Sequence, residues 1–137
     1  MTSSDTETNK AVARRLFELF SAGDIAGVMD LMTDDATWWL PGKPGQLPVV
    51  GTRTKPQIAK LFHAMTSQLE GPLVMTVKST IAEGDQVAME VESLGHLKNG
   101  RTYNQEYHFR IQLRGGKICA VREYLDTLHV QAVWFQG

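Results

Sequence analysis

Apolar residues in the first third of the chain recur at helical spacing. Val12, Leu16, Leu19 and Phe20 stand at i, i+4, i+7 and i+8, with Phe17 alongside, and together they form one stripe of a helix. Gly23 ends that helix and Asp24 can cap a second, in which Ile25, Val28, Met29 and Met32 repeat the spacing. Thr33-Asp34-Asp35 closes the second helix, and the aromatic run Ala36-Thr37-Trp38-Trp39-Leu40 reads as a short strand. Residues 41–48, PGKPGQLP, hold three prolines and two glycines and form a loop whose first two residues shape the mouth of any pocket beside the strand. Thr54 and Gln57 have capping-box spacing. They precede a third amphipathic helix carrying Ile58, Leu61, Phe62, Met65 and Leu69, which Gly71-Pro72 stops.

The second half changes period. Leu73–Ala82, Gln86–Leu97, Arg101–Leu113 and Lys117–Leu125 are four strand-like runs joined by the short turns EGD, KNG and RGG. Three N-terminal helices followed by an antiparallel meander make an α+β domain with helices on one face of the sheet. A curved sheet covered in this way leaves a pocket between the layers, where small ligands bind.

Composition narrows the partners more than the chemistry. The 137 residues suit a single domain spanning 1–137, with a polar N-terminal tail over about residues 1–6. Fourteen Lys and Arg nearly balance fifteen Asp and Glu and form no basic stripe, so nucleic acid and anionic membrane are not expected partners. The polar start, MTSSDTETNK, does not resemble a signal peptide, and the single cysteine, Cys119, excludes an internal disulfide. A cytoplasmic home is the simplest expectation. No glycine-rich phosphate loop and no histidine pair at metal-ligand spacing occur, so no cofactor or metal is implied.

The segments FSAGDIAGVMDLMTDDATWWLPG, GTRTKPQIAKLF, NGRTYNQEY and GKICAVREYLDT together resemble, in order and over nearly the whole chain, the nuclear transport factor 2-like superfamily in its SnoaL-like and ketosteroid-isomerase-like branch. The resemblance implies a cone-shaped α+β fold, a deep apolar pocket and a homodimer formed through the outer sheet face. It leaves the activity open among isomerases, cyclases, dehydratases, epoxide hydrolases and non-catalytic binders. Position by position, the tyrosine, strand acid and proton-shuttling aspartate of ketosteroid isomerases fall on Leu16, approximately Tyr107, and Leu40, which argues against that mechanism. The epoxide-hydrolase positions fall on Glu123 of the last strand, on Glu90 and Glu92 of a middle strand, and on Trp38 and Leu40. An acid–arginine–acid relay cannot be built there from three carboxylates.

Strand parity supplies the remaining candidates. Trp38 and Trp39 point to opposite faces, and the resemblance places Trp38 and Leu40 on the pocket wall. Cys119, Val121, Glu123 and Leu125 share one face, so Glu123 among apolar neighbours would be a desolvated acid or base. The competing reading is a solvated Glu123, or one in a salt bridge with a residue such as Arg101 or Arg114. For Glu90 and Glu92 the two lines of argument conflict. Parity sends Met89 and Val91 to the core and the glutamates to water, whereas the resemblance turns the glutamates inward as an acid/base partner of Glu123 and packs Met89 and Val91 in a dimer interface. Tyr107 shares a face with Arg101, Tyr103, Gln105 and Phe109 and can polarise a carbonyl, or serve only as a core tyrosine. Leu16, Gln105, Val121 and Leu125 complete the expected lining. Cys119 is read as a small buried hydrophobe, and Asp126 as a cap for the turn that follows. The first expectation is therefore a cofactor-independent isomerase, lyase, cyclase or hydrolase acting by carboxylate proton transfer on a small apolar cyclic or aromatic molecule. The alternative is a non-catalytic binding or dimerisation module.

Overall fold

A computed structural model describes residues 3–135. Helix α1 (Ser3–Ser21) and the short α2 (Ile25–Asp30) lead into strand β1 (Met32–Leu40). Strand β2 (Gly51–Thr54), helix α3 (Lys55–Ser67) and strands β3 (Leu69–Glu83), β4 (Gln86–Leu97), β5 (Thr102–Arg114) and β6 (Lys117–Leu125) follow, and α4 (Thr127–Val130) runs into a π-helical turn, Gln131–Phe135. The strands form one curved sheet in the order β2-β1-β6-β5-β4-β3. It is the expected α+β arrangement, antiparallel at every pairing except β1 with β6.

Each helix buries the stripe its sequence carries. Leu16, Phe17, Phe20, Val28, Ile58 and Phe62 meet the inner sheet face at Val87, Met89, Phe109, Ile111, Ile118 and Val121 in one continuous core. Strand β5 alternates without interruption, every second residue from Tyr103 to Leu113 buried and its neighbours exposed. The Asp24 carboxylate accepts from the Gly27 N–H and caps α2, and the Thr54–Gln57 box caps α3.

Several expectations are corrected. The helical stripe does not extend to Met32: α2 stops at Asp30, and Met32-Thr33-Asp34-Asp35 already belongs to β1, where Met32 and Ala36 face the core. Helix α3 ends at Ser67, so Leu69 opens β3 and Gly71-Pro72 lies within that strand, not beyond a helix. The register shifts between Glu70 and Val74, and Gly71 adopts φ +82° at this irregularity. Because β3 is an edge strand, the missing Pro72 N–H breaks no interior ladder. The tail expected over residues 1–6 is helical from Ser3 onward, and Met1 and Thr2 lie outside the described residues. Strand β2 and the C-terminal helical turns carried no expectation.

Parity prevails over the family-based alignment on β4. Met89 and Val91 are buried in the core, not on an outer interface, while Glu90 is exposed and Glu92 half-buried on the opposite face. Cys119 is also displaced from its expected place. Gln112 pairs with Ala120 and Leu113 with Ile118, which leaves Cys119 as the extra residue of a bulge. Ile118 and Val121 therefore both face inward, and Cys119 is half-exposed where a buried hydrophobe was expected.

Candidate active site

Between α1, α3, the concave sheet face and the C-terminal turns lies a cavity of about 320 Å³. Its walls are mostly apolar: Phe17, Phe20, Phe62, Met65, Leu73 and Phe109 are typical. The loop after β1 closes one side with Pro48 and Val49. Gly42 makes that closure possible, since its φ is +137° and a Cβ there would run into the Val50 side chain. The only charged side chains lining the cavity, among the described residues, are Glu123 and Arg53.

Glu123 comes from β6, cross-strand from Phe109, and is 9% exposed. Its Oε1 accepts a 2.8 Å hydrogen bond from Trp38 Nε1. Among the described residues no side chain forms an ion pair with it, and neither proposed partner is near: Arg101 donates to the carbonyls of Ala132 and Val133, and Arg114 pairs with Asp35. Burial pushes the Glu123 carboxyl up to about 7, while the Trp38 N–H and the positive field of Arg53 pull in the other direction. Desolvation prevails because one neutral donor and one cation outside contact range do not replace the lost hydration shell.

Trp38 answers to its parity. It is 2% exposed and its ring meets Phe62 edge-on, with centroids 5.0 Å apart, so the indole is held in the orientation that aims Nε1 at Glu123. Trp39, on the other face, lies beneath the Arg122 guanidinium, 3.8 Å from its ring centroid, and against Tyr124. Two phenols complete the polar part of the cavity. The Tyr107 hydroxyl is 3.0 Å from Ser93 Oγ. Tyr103 accepts from Gln105 Nε2 at 3.3 Å and stacks on His129. Burial pushes the Tyr103 hydroxyl up to about 12, with the nearby Glu123 adding to it, and raises Tyr107 well above the ordinary phenol value. Both therefore remain protonated hydrogen-bond donors near neutral pH.

The structure brings together Glu123, Tyr107, Trp38, Leu40 and Leu125 on the cavity wall. It does not bring Glu90 or Glu92. Glu90 accepts from Ser79 Oγ at 2.7 Å, and Glu92 pairs with Lys78 at 2.9 Å and accepts from Asn104 Nδ2, all on the outer face. Those two bonds hold the Glu92 carboxyl below the ordinary range, the reverse of what a proton-sharing partner of Glu123 needs. Leu16 and Val121 are buried in the core behind the wall and do not line the cavity. Gln105 is buried as well, but its amide holds the backbone N–H and C=O of Asp126 instead of facing a ligand. Asp126 caps α4 by accepting from the His129 N–H, as expected.

Sequence reasoning missed four contributors. Arg53 sits on the four-residue β2, too short for parity to speak, opposite Trp38 in the register. Tyr103 shares the Tyr107 face, so period-2 alternation already pointed to it. Val130 and Trp134 line the cavity from the C-terminal turns, and Val130, Val133 and Trp134 stand at helical spacing that could have revealed them.

Comparison with known proteins agrees with this geometry. The chain is 22% identical over 124 residues to an uncharacterized protein of Mycobacterium tuberculosis (strain ATCC 25618 / H37Rv), covering 90% of this chain and 93% of that one. An NTF2-like protein from Burkholderia xenovorans LB400 superposes with a TM-score of 0.73 at 26% identity, over 93% of this chain and 96% of that one. TerC, co-crystallized with polyporic acid, superposes with a TM-score of 0.80 at 20% identity, over 92% and 97%. The family model described as the SnoaL-like domain matches residues 13–121, from the middle of α1 into β6. With that match spanning most of the chain, the protein belongs to the SnoaL-like domain family, within the NTF2-like superfamily.

Proposed function

We propose that the protein is an isomerase- or lyase-type enzyme that moves a proton on a small apolar cyclic or aromatic molecule, with Glu123 as the acid/base group. One observation carries this reading: a carboxyl buried in the wall of an apolar cavity, with one oxygen fixed by Trp38 Nε1 at 2.8 Å. Among the described residues no hydrogen bond reaches its other oxygen, which is thus available to a ligand. A carboxyl titrating near 7 is strong enough as a base to take a proton from an activated C–H and acidic enough when protonated to return it at neutral pH.

In the forward step the ionised Glu123 takes a proton from a carbon next to a substrate carbonyl, and the C–H electron pair becomes the C=C bond of an enolate. The oxygen that gains the charge receives a hydrogen bond from a cavity phenol, Tyr107 or Tyr103, whose raised pKa keeps it a donor. Return of the proton to a different carbon completes an isomerisation, while departure of a β-leaving group completes an elimination. Trp38 keeps the carboxyl in one orientation throughout, and the apolar walls hold the ring system. The crystallisation of a structural relative with polyporic acid supports an organic ligand of this kind.

The test is solvent-deuterium incorporation into a panel of cyclic ketones and enones, comparing wild type with Glu123→Gln. The expected loss in the variant is about 10²-fold or more in exchange rate at the activated carbon. A panel member that exchanges equally well with both proteins would assign the proton transfer to another residue. A protein that binds panel members without exchanging any would be the non-catalytic binder.

A further inference from the structure

A second, more open depression of about 420 Å³ lies against the outer side of β2 and α3, and its walls differ in kind from those of the cavity. Thr52, Gln57, Arg53 and Lys60 give it a polar and positive lining, and among the described residues that line it there is no acid. The two spaces share Arg53, Leu61 and Ala64, so they adjoin, with the Arg53 side chain at the boundary. Two of the five guanidinium N–H groups are committed to the chain itself: Nη1 donates to the Val49 carbonyl and Nη2 to the Pro48 carbonyl. These bonds hold Arg53 in place against the loop after β1 and leave it further donors in a fixed, planar array. Lys60 is exposed on the next turn of α3 and has no fixed partner among the described residues.

We infer that the ligand of this pocket is an amphipathic carboxylate, whose ring system fills the apolar cavity while its anionic group sits at Arg53 and Lys60 in the adjoining depression. The inference rests on reading the cavity as the substrate pocket, but not on Glu123 acting as a catalyst. Charge placement supports it. A wholly apolar ligand would leave the guanidinium at the cavity boundary with no carboxylate in ion-pair contact, because Glu123, the other charged group on the wall, is bonded to Trp38 and forms no ion pair with it among the described residues. A carboxylate answers the fork geometry of Arg53 in a way that a neutral polar group cannot. Arg53 and Lys60 thus act as specificity determinants: they select acidic molecules and orient them with the ring carbons toward Glu123.

Calorimetric titration with 2-naphthoate and 2-naphthamide, which share a ring and differ in charge, tests this at low ionic strength and about pH 6, where the naphthoate is ionised. The naphthoate is expected to bind about tenfold more tightly than the amide, the preference falling as salt is added. Arg53→Gln should abolish the preference by weakening the anion alone, and Arg53→Lys should restore part of it. Since Arg53→Gln also removes two bonds to the loop, Lys60→Gln is the companion variant. It touches no such bond and should weaken naphthoate about threefold while leaving the amide unchanged. Equal affinity for the two probes, a preference that survives the double variant, or no binding of either probe would overturn the inference. Arg53→Gln also removes a positive field that lowers the Glu123 carboxyl, so the proton-transfer reading is judged on wild type and Lys60→Gln, where it stands or falls separately.

Discussion

Glu123 and Glu92 are the same residue type on the same sheet, and the structure treats them in opposite ways. Glu92 looks outward and is met by Lys78 and Asn104, so its charge is answered and its carboxyl is held below the ordinary range. Glu123 looks inward, has one neutral donor in contact, and is pushed up to about 7 by burial. Residue identity therefore says little about chemistry; the face of the strand decides. The two tryptophans repeat the lesson one position apart, Trp38 holding a carboxyl in the cavity wall and Trp39 lying under an arginine outside.

The contrast between faces can be attacked first where it is largest. Phe109 is 1% exposed and contacts the rings of Phe17, Trp38 and Tyr107, so Phe109→Ala should cost about 3–5 kcal/mol in chemical denaturation. An effect below about 1 kcal/mol would mean that the inner face is not packed as described. Next comes pH. The folded Glu123 holds its proton up to about 7, whereas the unfolded chain gives it up near 4.5. Between those values the native state holds more protons, so stability contributed by this group declines as pH rises and is fully lost above the folded value. Glu123→Gln cannot ionise and still offers an oxygen to Trp38. It should raise stability by up to roughly 3 kcal/mol at about pH 8 and change it little near pH 5. On the outer face, Arg122→Ala removes the cation–π contact with Trp39 and should cost only about 0.5–1 kcal/mol. Smallest of all, Glu92→Gln gives up an exposed ion pair and should lower the denaturation midpoint only slightly while leaving the titration of Glu123 where it was; a shift in that titration would put Glu92 back in the site.

The fold was legible because its signals are periodic. The helical stripe of α1, the capping box of α3 and the alternation of β4 and β5 each specify an element locally. Legibility failed where a local pattern met a tertiary decision. Met32 and Leu69 continue helical spacings, yet each begins a strand because a sheet neighbour offers its backbone a ladder. On the cavity wall, strand parity and the family resemblance together pointed to Trp38, Tyr107 and Glu123. Alignment to relatives turned Glu90 and Glu92 the wrong way, because distant relatives keep the fold more closely than the register of a single strand. Arg53 is contributed by a four-residue strand, an element too brief for a pattern to show, whereas the C-terminal wall carried a helical spacing that was not used. What no spacing can convey is desolvation, and desolvation is what separates Glu123 from the other glutamates.

The central claim is tested most directly by following side-chain carboxyl carbons by NMR against pH in glutamate-labelled protein, with Glu123→Gln to assign the signal. The account predicts that the missing resonance in the variant titrates at about 7 in wild type, well separated from the Glu92 signal below the ordinary range. A Glu123 resonance titrating near 4.5 would place that carboxyl in water and remove the acid/base group from the cavity.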